Sequence, residues 1–322
     1  MKHTAAALAI VATLACGGAC PVSAEEGAEG REGTAVARGK DEIVTIDIAS
    51  RCGDIGERVA RLAPVEMKVD LSFLSRNEKR ALAKLIEAAA LIDEIFFNQT
   101  YHLNNEFRAA IRNAKDLDPN FATYFEIMAG PFDRIDGDRP FIGSLTRPKT
   151  SNLYPVDMTR EELETWIKDH PADEQAFKSN FTVIARKGGK LVAVPYSEVY
   201  KTWLEPAAEL LREAAVLCGN ESLKKFLRSR ADAFASNDYY QSDIDWMDVA
   251  DSPIDVTIGP YEVYEDRMFG YKAAFEAFIT VVNPEESKKL QVYQNYLKEL
   301  DENLPMPAGA KWIRDRYESP IR

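Results

Sequence analysis

Histidine is scarce in this sequence of 322 residues, which contains only His3, His102 and His170. The zinc motif His-Glu-x-x-His, which places two histidines on one helix face, is absent. A metal site built by this chain alone would therefore consist mostly of carboxylates. A catalytic triad would need His102 or His170 as its base, and neither lies in a sequence context typical of such a base.

Long apolar runs and an excess of positive charge are also absent. No stretch of about 18 apolar residues occurs, so no ordinary transmembrane helix is expected. The 40 basic residues are outnumbered by 52 acidic ones. This balance argues against a nucleic-acid partner, because phosphate binding needs a clustered basic surface. Walker A, Gly-x-Ser-x-Gly and Gly-x-Gly-x-x-Gly motifs are missing as well.

The first 24 residues have the pattern of a secretory signal peptide. Residues 1–24 combine a basic start, an apolar stretch and small residues before the expected cleavage point. We therefore expect export to the periplasm or the medium. Cys16 and Cys20 each end an imperfect lipobox, so one of them is a candidate lipid anchor, and loss of both with the signal peptide is the alternative. Residues 25–40, rich in Glu, Gly and Ala, are expected to form a flexible tether.

Two cysteines follow the signal peptide, Cys52 and Cys218. An oxidising compartment permits a disulfide, but the sequence does not show whether their Cα atoms lie close enough. Cys218 ends an apolar helical pattern, which equally indicates a buried thiol. The state of these two cysteines stays open.

The rest of the sequence combines many helical patterns with a few strand patterns. Capping boxes at 75–78 and 159–162 predict the starts of two helices, the first of which extends to about residue 97. Apolar stretches on both sides of 186–190 predict a β-hairpin. We further predict helices over 103–114, 197–217, 222–235, 272–282 and 285–300, a strand within 253–264 and a loop-rich segment over 117–157. Strands and helices do not alternate in βαβ order, so the expected fold class is α+β, mostly helical with a small β-core.

Carboxylates alternate with aromatic residues over 237–266. One interpretation is the lining of a peptide or sugar cleft, in which rings stack and carboxylates bind an amine. Paired carboxylates would also suit an unrelated glycosidase. The other interpretation is a solvated acidic loop that leads into a strand. The pattern alone does not decide between these alternatives.

The order of residues in this segment resembles that of a known protein family. Residues 254–266 read Ile-Asp-Val-Thr-Ile-Gly-Pro-Tyr-Glu-Val-Tyr-Glu-Asp. Further matching segments are 130–134, 269–278, 281–283 and 304–307. Together they resemble the dipeptidyl peptidase III-like zinc metallopeptidases, especially their bacterial branch, over about residues 70–322. The resemblance implies two lobes around a wide cleft, one with a β-core and one helical lobe that carries zinc.

The resemblance also implies a set of substrate-binding residues. Substrate peptides would lie along the strand at 254–264 as an added strand. Asp255 would help to hold the free N-terminal amine of the substrate, and Gly259 would belong to the backbone surface of the same strand. Thr257 stands where many family members have tyrosine, which affects the detail of substrate contact. Tyr261 completes the expected substrate-binding set.

The zinc ligands of the family lie downstream of the matching segments. Zinc is thus expected for the full-length family member and not for this chain alone, and we assign no catalytic and no metal-binding residue. Residues 41–303 are expected to form the substrate-binding lobe, and residues 304–322 the start of a connection to a missing C-terminal zinc lobe. Some plant members carry a fused Nudix domain, but no Nudix box occurs here.

The expected function is therefore the substrate-binding part of an exported zinc-dependent dipeptidyl peptidase, inactive without its zinc lobe. Its expected partners are short peptides and that lobe. The alternative is a non-catalytic exported protein that binds peptides.

Overall fold

The computed structural model describes residues 46–307. Within this range the helices are α1 Ile55–Ala60, α2 Arg76–Thr100, α3 Asn104–Asn113, α4 Pro119–Met128, α5 Arg160–Asp169, α6 Glu174–Lys178, α7 Tyr196–Val199, α8 Lys201–Leu217, α9 Glu221–Ser236, α10 Tyr240–Met247, α11 Pro284–Gln294 and α12 Leu297–Glu302. The strands are β1 Phe132–Asp133, β2 Arg139–Pro140, β3 Thr182–Lys187, β4 Lys190–Pro195, β5 Ile254–Glu262 and β6 Ala274–Val281. They form antiparallel pairs, β1 with β2, β3 with β4 and β5 with β6. The expected α+β class, mostly helical with a small amount of strand, is confirmed.

The predicted signal peptide, tether and lipid-anchor cysteines lie outside the described residues. The same holds for most of the predicted connection at 304–322. None of the described helices is both long and apolar enough to span a membrane.

Helix α2 is the longest described helix, and it begins where the sequence predicts. The Ser75 hydroxyl accepts the Glu78 N–H at 3.2 Å, and the Glu78 carboxylate accepts the Ser75 N–H at 2.7 Å. This reciprocal cap satisfies two backbone donors that have no partner within a helix. The helix then contributes Leu85 and Ile92 to one apolar core and Phe97 to a second.

The two cores differ in composition. The larger one packs α2, α8 and α9 against the β3–β4 hairpin and the β5–β6 ribbon. The smaller one is rich in aromatic rings, and its phenylalanines are Phe97, Phe107, Phe121, Phe125, Phe132 and Phe141. Helix α2 thus joins the part of the chain that carries the ribbon to the part formed by α1, α3 and α4.

We expect Ser75→Ala to lower the free energy of unfolding by about 1 kcal/mol, since the cap is removed while the rest of α2 is unchanged. The measurement is urea unfolding followed by far-UV circular dichroism. Ser72→Ala is the matched control, because the Ser72 hydroxyl bonds the Asp70 carboxylate in the turn before the helix. Equal midpoints for the two variants would contradict a role for the cap.

The hairpin and several helices also agree with the sequence. Strand β3 pairs with β4 up to Lys187 opposite Lys190, and Gly188 and Gly189 have φ of 58° and 77° between them. Such left-handed conformations are what a tight two-residue hairpin turn requires. Helices α3 and α9 lie within two residues of their predicted limits, and α5 begins directly after Thr159, as its predicted cap requires.

The prediction of a helix over 272–282 is wrong, because this segment forms strand β6. Its apolar residues fit a helical period, but Phe275 and Ile279 are buried on one side of a ribbon paired with β5. Tertiary pairing overrides local periodicity here. The same strand brings Glu276 next to β5, which the helical interpretation would not have placed there.

Segment 117–157 is less loop-rich than predicted, since it contains α4. The Asp118 side chain accepts the Asn120 N–H at 2.9 Å, and Pro119 is the first helical residue. A proline suits this position because its missing N–H would have no partner there. The prolines of this segment predict loops, whereas Pro119 marks the start of a helix.

Three other segments differ from the predicted limits. The helix predicted over 197–217 is interrupted at Tyr200, between α7 and α8, and the helix predicted over 285–300 is interrupted between α11 and α12. Helix α10 lies inside the acidic and aromatic segment, for which no helix was predicted.

Cys52 and Cys218 are both free thiols. Cys218 is buried in the larger core, and burial raises the pKa of its thiol to about 11. Cys52 packs against the smaller core. A buried thiol is therefore the state that the structure gives for Cys218.

Candidate functional site

The β5–β6 ribbon has one buried face and one open face. On β5, Ile254, Val256 and Ile258 are buried in the larger core, whereas Asp255 and Thr257 are half-buried on the opposite side. Side chains of a strand alternate between its two faces, so this pattern separates a core face from an exposed one. We call the second face the open face. It is formed by Asp255, Thr257, Glu276, Phe278 and Thr280, with Thr257 opposite Phe278 and Asp255 opposite Thr280.

The two edges of the ribbon also differ. At the start of β6, the Gln99 side chain of α2 accepts the Phe275 N–H at 2.8 Å and donates to the Ala273 carbonyl at 3.3 Å. The Gln99 side chain thus occupies the position at the edge of β6 that a further strand would take. On the other side, β6 is the one strand that pairs with β5 within residues 46–307. The outer edge of β5 therefore pairs with no other strand among the described residues.

Asp255 carries a carboxylate that no described group neutralises. It is half-buried on the open face, and among residues 46–307 it has neither a hydrogen bond nor an ion pair. A partly desolvated carboxylate without a partner attracts a cation. Thr257 lies two residues further along on the same face and is also half-buried.

Gly259 has a conformation and an environment that exclude a side chain. Its φ is 149°, a value that residues other than glycine rarely adopt. A Cβ atom at this position would lie 2.5 Å from Arg230 Nη1 and 3.4 Å from the ring of Tyr261. The strand therefore needs glycine here so that the guanidinium of α9 can lie directly against its backbone.

Arg230 is fully buried beside the strand. Its Nη2 donates to the Asp243 carboxylate at 2.5 Å. Its guanidinium carbon lies 5.3–5.4 Å from the ring centroids of Phe226, Tyr239 and Tyr261. Such contacts favour a cation over aromatic faces.

Tyr261 thus packs on Arg230, and its hydroxyl donates to the Ile258 carbonyl at 3.3 Å. Burial raises the pKa of Tyr261 to about 12. Of the four predicted substrate-binding residues, the structure places Asp255 and Thr257 on the open face, whereas Gly259 and Tyr261 pack against Arg230.

The connection between β5 and β6 is organised by Asp266. This buried carboxylate accepts the N–H groups of Met268, Phe269, Tyr271 and Lys272 at 2.7–3.0 Å, and the Tyr154 hydroxyl at 2.6 Å. Burial and the Asp266 carboxylate raise the pKa of Tyr154.

The neighbouring Lys272 ammonium is also buried. It donates to the carbonyls of Phe177 and Ser179 and to the Thr182 hydroxyl at 2.7–2.8 Å. Burial lowers the pKa of Lys272 to about 7. Together, Asp266 and Lys272 fix the start of β6.

A cavity of about 310 Å³ lies at the end of the ribbon. Its polar lining is acidic, and its walls include the rings of Phe96 and Tyr264. The lining carboxylates are Glu262, Glu265 and Glu276. Burial and the charge of Glu262 raise the pKa of Glu276. Glu276 lies opposite Gly259, so the cavity continues the open face beyond Thr257.

The comparisons with known proteins agree with the resemblance found in the sequence. The model of peptidase family M49 matches residues 152–321. The chain belongs to peptidase family M49. This family consists of zinc metallopeptidases of the dipeptidyl peptidase III type.

Two solved structures are similar to this M49 chain. Dipeptidyl peptidase III from Caldithrix abyssi is 52% identical with a TM-score of 0.77, over 80% of this chain and 49% of that one. Dipeptidyl-peptidase III from Corallococcus sp. strain EGB is 43% identical with a TM-score of 0.73, over 78% of this chain and 48% of that one.

A curated relative gives the same picture. Nudix hydrolase 3 from Arabidopsis thaliana is 32% identical over 330 residues, which cover 86% of this chain and 42% of that protein. The chain thus spans about half the length of the proteins it matches or less.

The described part of this M49 chain does not fit a zinc ion. Within residues 46–307, no three His, Cys, Asp or Glu side chains are arranged to hold a metal. His170 ends α5 and stacks on Trp166 with ring centroids 4.1 Å apart, and His102 packs on Tyr101 at 4.7 Å. We therefore assign no hydrolytic step to these residues.

Two residues of the site were missed by sequence reasoning. Arg230 occurs within the apolar stripe of α9, between Phe226 and Phe234, and a charge at such a position signals a buried role. Glu276 was missed because its segment was interpreted as helical. Its signal would have been the alternation of β6 against β5.

Proposed function

We propose that this M49 chain provides the peptide-binding part of a zinc-dependent dipeptidyl peptidase, in which Asp255 binds the N-terminal amine of the peptide. The observation that carries the proposal is the unneutralised Asp255 carboxylate on the open face, beside the free edge of β5. A peptide amine has a pKa near 8 and is largely a cation at neutral pH. A carboxylate partner for this amine is the simplest way to recognise the start of a chain.

The neighbouring groups support a peptide as the ligand. The free edge of β5 offers backbone donors and acceptors to an extended segment, and strand addition is a common form of peptide recognition. Thr257 adds a hydroxyl group, and Phe278 adds an apolar surface opposite it. Gly259 and Tyr261 act indirectly, because both keep the guanidinium of Arg230 beside the strand.

The rest of the peptidase would pack against the end of the described chain. Helices α11 and α12 bury none of their described side chains, and their exposed apolar residues include Tyr293, Tyr296 and Leu300. A group of large exposed apolar side chains on two successive helices favours an interaction site. We place the zinc lobe there, because the M49 relatives are about twice as long as their matched segments.

Export of the chain remains part of the proposal. It is supported by the signal-peptide pattern of residues 1–24. Cys16 or Cys20 would carry a lipid if signal cleavage occurs directly before it. Intact mass of the protein from a bacterial membrane fraction would distinguish a lipidated form from a cleaved soluble one.

We expect Asp255→Asn to weaken the binding of a tetrapeptide with a free N-terminus at least tenfold. A hydrogen bond to a charged group contributes about 1.5–3 kcal/mol, and 1.4 kcal/mol corresponds to a factor of ten. The measurement is isothermal titration calorimetry at neutral pH. N-acetylation of the peptide should weaken its binding to the unmodified chain by a similar factor and have little further effect on Asp255→Asn.

Asp248→Asn is the matched control, since Asp248 is an exposed carboxylate at the end of α10 and does not belong to the ribbon. It should bind the peptide as tightly as the unmodified chain. Equal affinities for free and acetylated peptide, or for the two asparagine variants, would refute the assignment of Asp255.

A further inference from the structure

A ladder of alternating charges connects two loops beside the acidic cavity. Arg267 bonds Asp138 at 2.5 Å, Asp138 bonds Arg147 at 2.5 Å, and Arg147 bonds Glu265 at 3.2 Å. Glu265 also pairs with Arg134. We call these five residues the arginine ladder. It ties the segment after β1 to the connection between β5 and β6.

Counted by themselves, the five ladder residues carry a net charge of +1. The three arginines of the ladder face two carboxylates, and the three guanidinium groups are close enough to repel one another. Glu262 and Glu276 line the adjoining cavity, but neither forms an ion pair with a ladder arginine. Guanidinium groups that converge in this way attract an anion.

A buried donor without a partner lies in the same place. The Arg147 side chain is only 8% exposed, and both of its terminal nitrogens are bonded within the ladder, whereas its Nε–H has no acceptor. The hydroxyl of Thr150, three residues further along, is also buried without a partner. Buried donors without acceptors are rare, and each calls for a bound group or solvent.

The ends of the ladder are accessible to a ligand. The side chain of Arg134 is 28% exposed and that of Arg267 is 35% exposed, so both are partly open to solvent. Arg134 also lies over the ring of Phe96, which lines the cavity. An anion can therefore reach the ladder from the surface.

We propose that the arginine ladder binds a small oxyanion, a carboxylate or a phosphate, which joins Arg134 and Arg267 and supplies the missing negative charge. An oxyanion matches the paired N–H groups of a guanidinium better than chloride does. The ligand chemistry differs from that at Asp255, because the ladder takes a negative group whereas Asp255 takes a positive one. The ladder gives the chain a second binding point of opposite sign.

The test compares the thermal stability of the full chain in inorganic phosphate and in chloride at equal ionic strength. Phosphate at about ten times its Kd should raise Tm by about 3 °C. The shift should be lost in Arg267→Gln and largely retained in Arg267→Lys, which keeps the charge. Arg139→Gln is the matched control, since Arg139 is an exposed arginine of the same segment and pairs with Asp136 outside the ladder.

Two further ligands test whether the bound anion is a free ion or the carboxylate end of a peptide. An N-acetyl dipeptide with a free carboxylate should give the same shift if the site takes the end of a peptide, and its C-terminal amide should not. Because both lack a free amine, their behaviour does not depend on Asp255. A shift with phosphate alone assigns the site to a free anion. Equal shifts in Arg267→Gln and Arg139→Gln, or no shift with any oxyanion, would overturn the proposal.

Discussion

Asp266→Ala is expected to lower the free energy of unfolding by about 4 kcal/mol. The Asp266 carboxylate accepts four backbone N–H groups and the Tyr154 hydroxyl, and it is almost fully buried. Alanine would leave these donors without an acceptor, and each unsatisfied buried donor costs about 1–3 kcal/mol. Part of the loss will be recovered when the connection between β5 and β6 relaxes toward water. Urea unfolding monitored by tryptophan fluorescence measures the change.

Asp238→Ala is the control for the loss of an aspartate that caps backbone groups. Asp238 is exposed and accepts one N–H, that of Tyr240 at 3.1 Å. Asp238→Ala should lower the free energy of unfolding by well under half as much as Asp266→Ala does. Asp266→Asn should lie between the two, because the amide keeps one acceptor oxygen but turns two N–H donors toward other donors. Equal losses for the two alanine variants would show that the connection is not held by Asp266.

Gly259→Ala is expected to lower the free energy of unfolding by about 3 kcal/mol and to abolish peptide binding at Asp255. The φ of 149° alone costs about 1–3 kcal/mol for a residue with a Cβ atom. The new methyl group would also lie 2.5 Å from Arg230 Nη1, which is buried and held by Asp243. Either the strand or the guanidinium has to move, and both lie directly beside the open face.

Gly189→Ala separates the two contributions. Gly189 also has a positive φ, of 77°, but a Cβ atom there would meet no atom within 4 Å. Gly189→Ala should lower the free energy of unfolding by about 1 kcal/mol. The combination of Gly259→Ala with Arg230→Met should be less damaging than the sum of the two single changes, since the contact between them is removed. Additive losses, or equal losses for the two glycine variants, would contradict a contact between Gly259 and Arg230.

The local signals in the sequence account for a large part of the helical fold. The start of α2 depends on two residues three positions apart, Ser75 and Glu78, so a short pattern suffices to find it. The β3–β4 hairpin likewise depends on two glycines between two short strands. Pro119 shows the limit of such signals, because the same residue suits a loop or the first turn of a helix.

The site was predictable only where it follows from the strand itself. The alternation of Asp255 and Thr257 with buried neighbours is contained in the sequence of β5. The position of Arg230 against Gly259 depends on how α9 packs on the strand, which no local pattern contains. The role of Asp266 could not be predicted either. Its carboxylate accepts N–H groups that come together only when the connection between β5 and β6 has folded. Because segment 272–282 was predicted to be a helix, the position of Glu276 beside β5 could not be predicted.

Helix α2 makes the two halves of the described chain mechanically dependent on each other. Its 25 residues, Arg76–Thr100, extend over about 37 Å, and its last two turns carry Phe97 into the aromatic core. Gln99, which holds the edge of β6, lies in its last turn, next to those rings. A disturbance that unwinds the last turn therefore releases the ribbon as well. The aromatic core thus supports the end of α2 that holds the start of β6, although this core is distant from Asp255 along the chain.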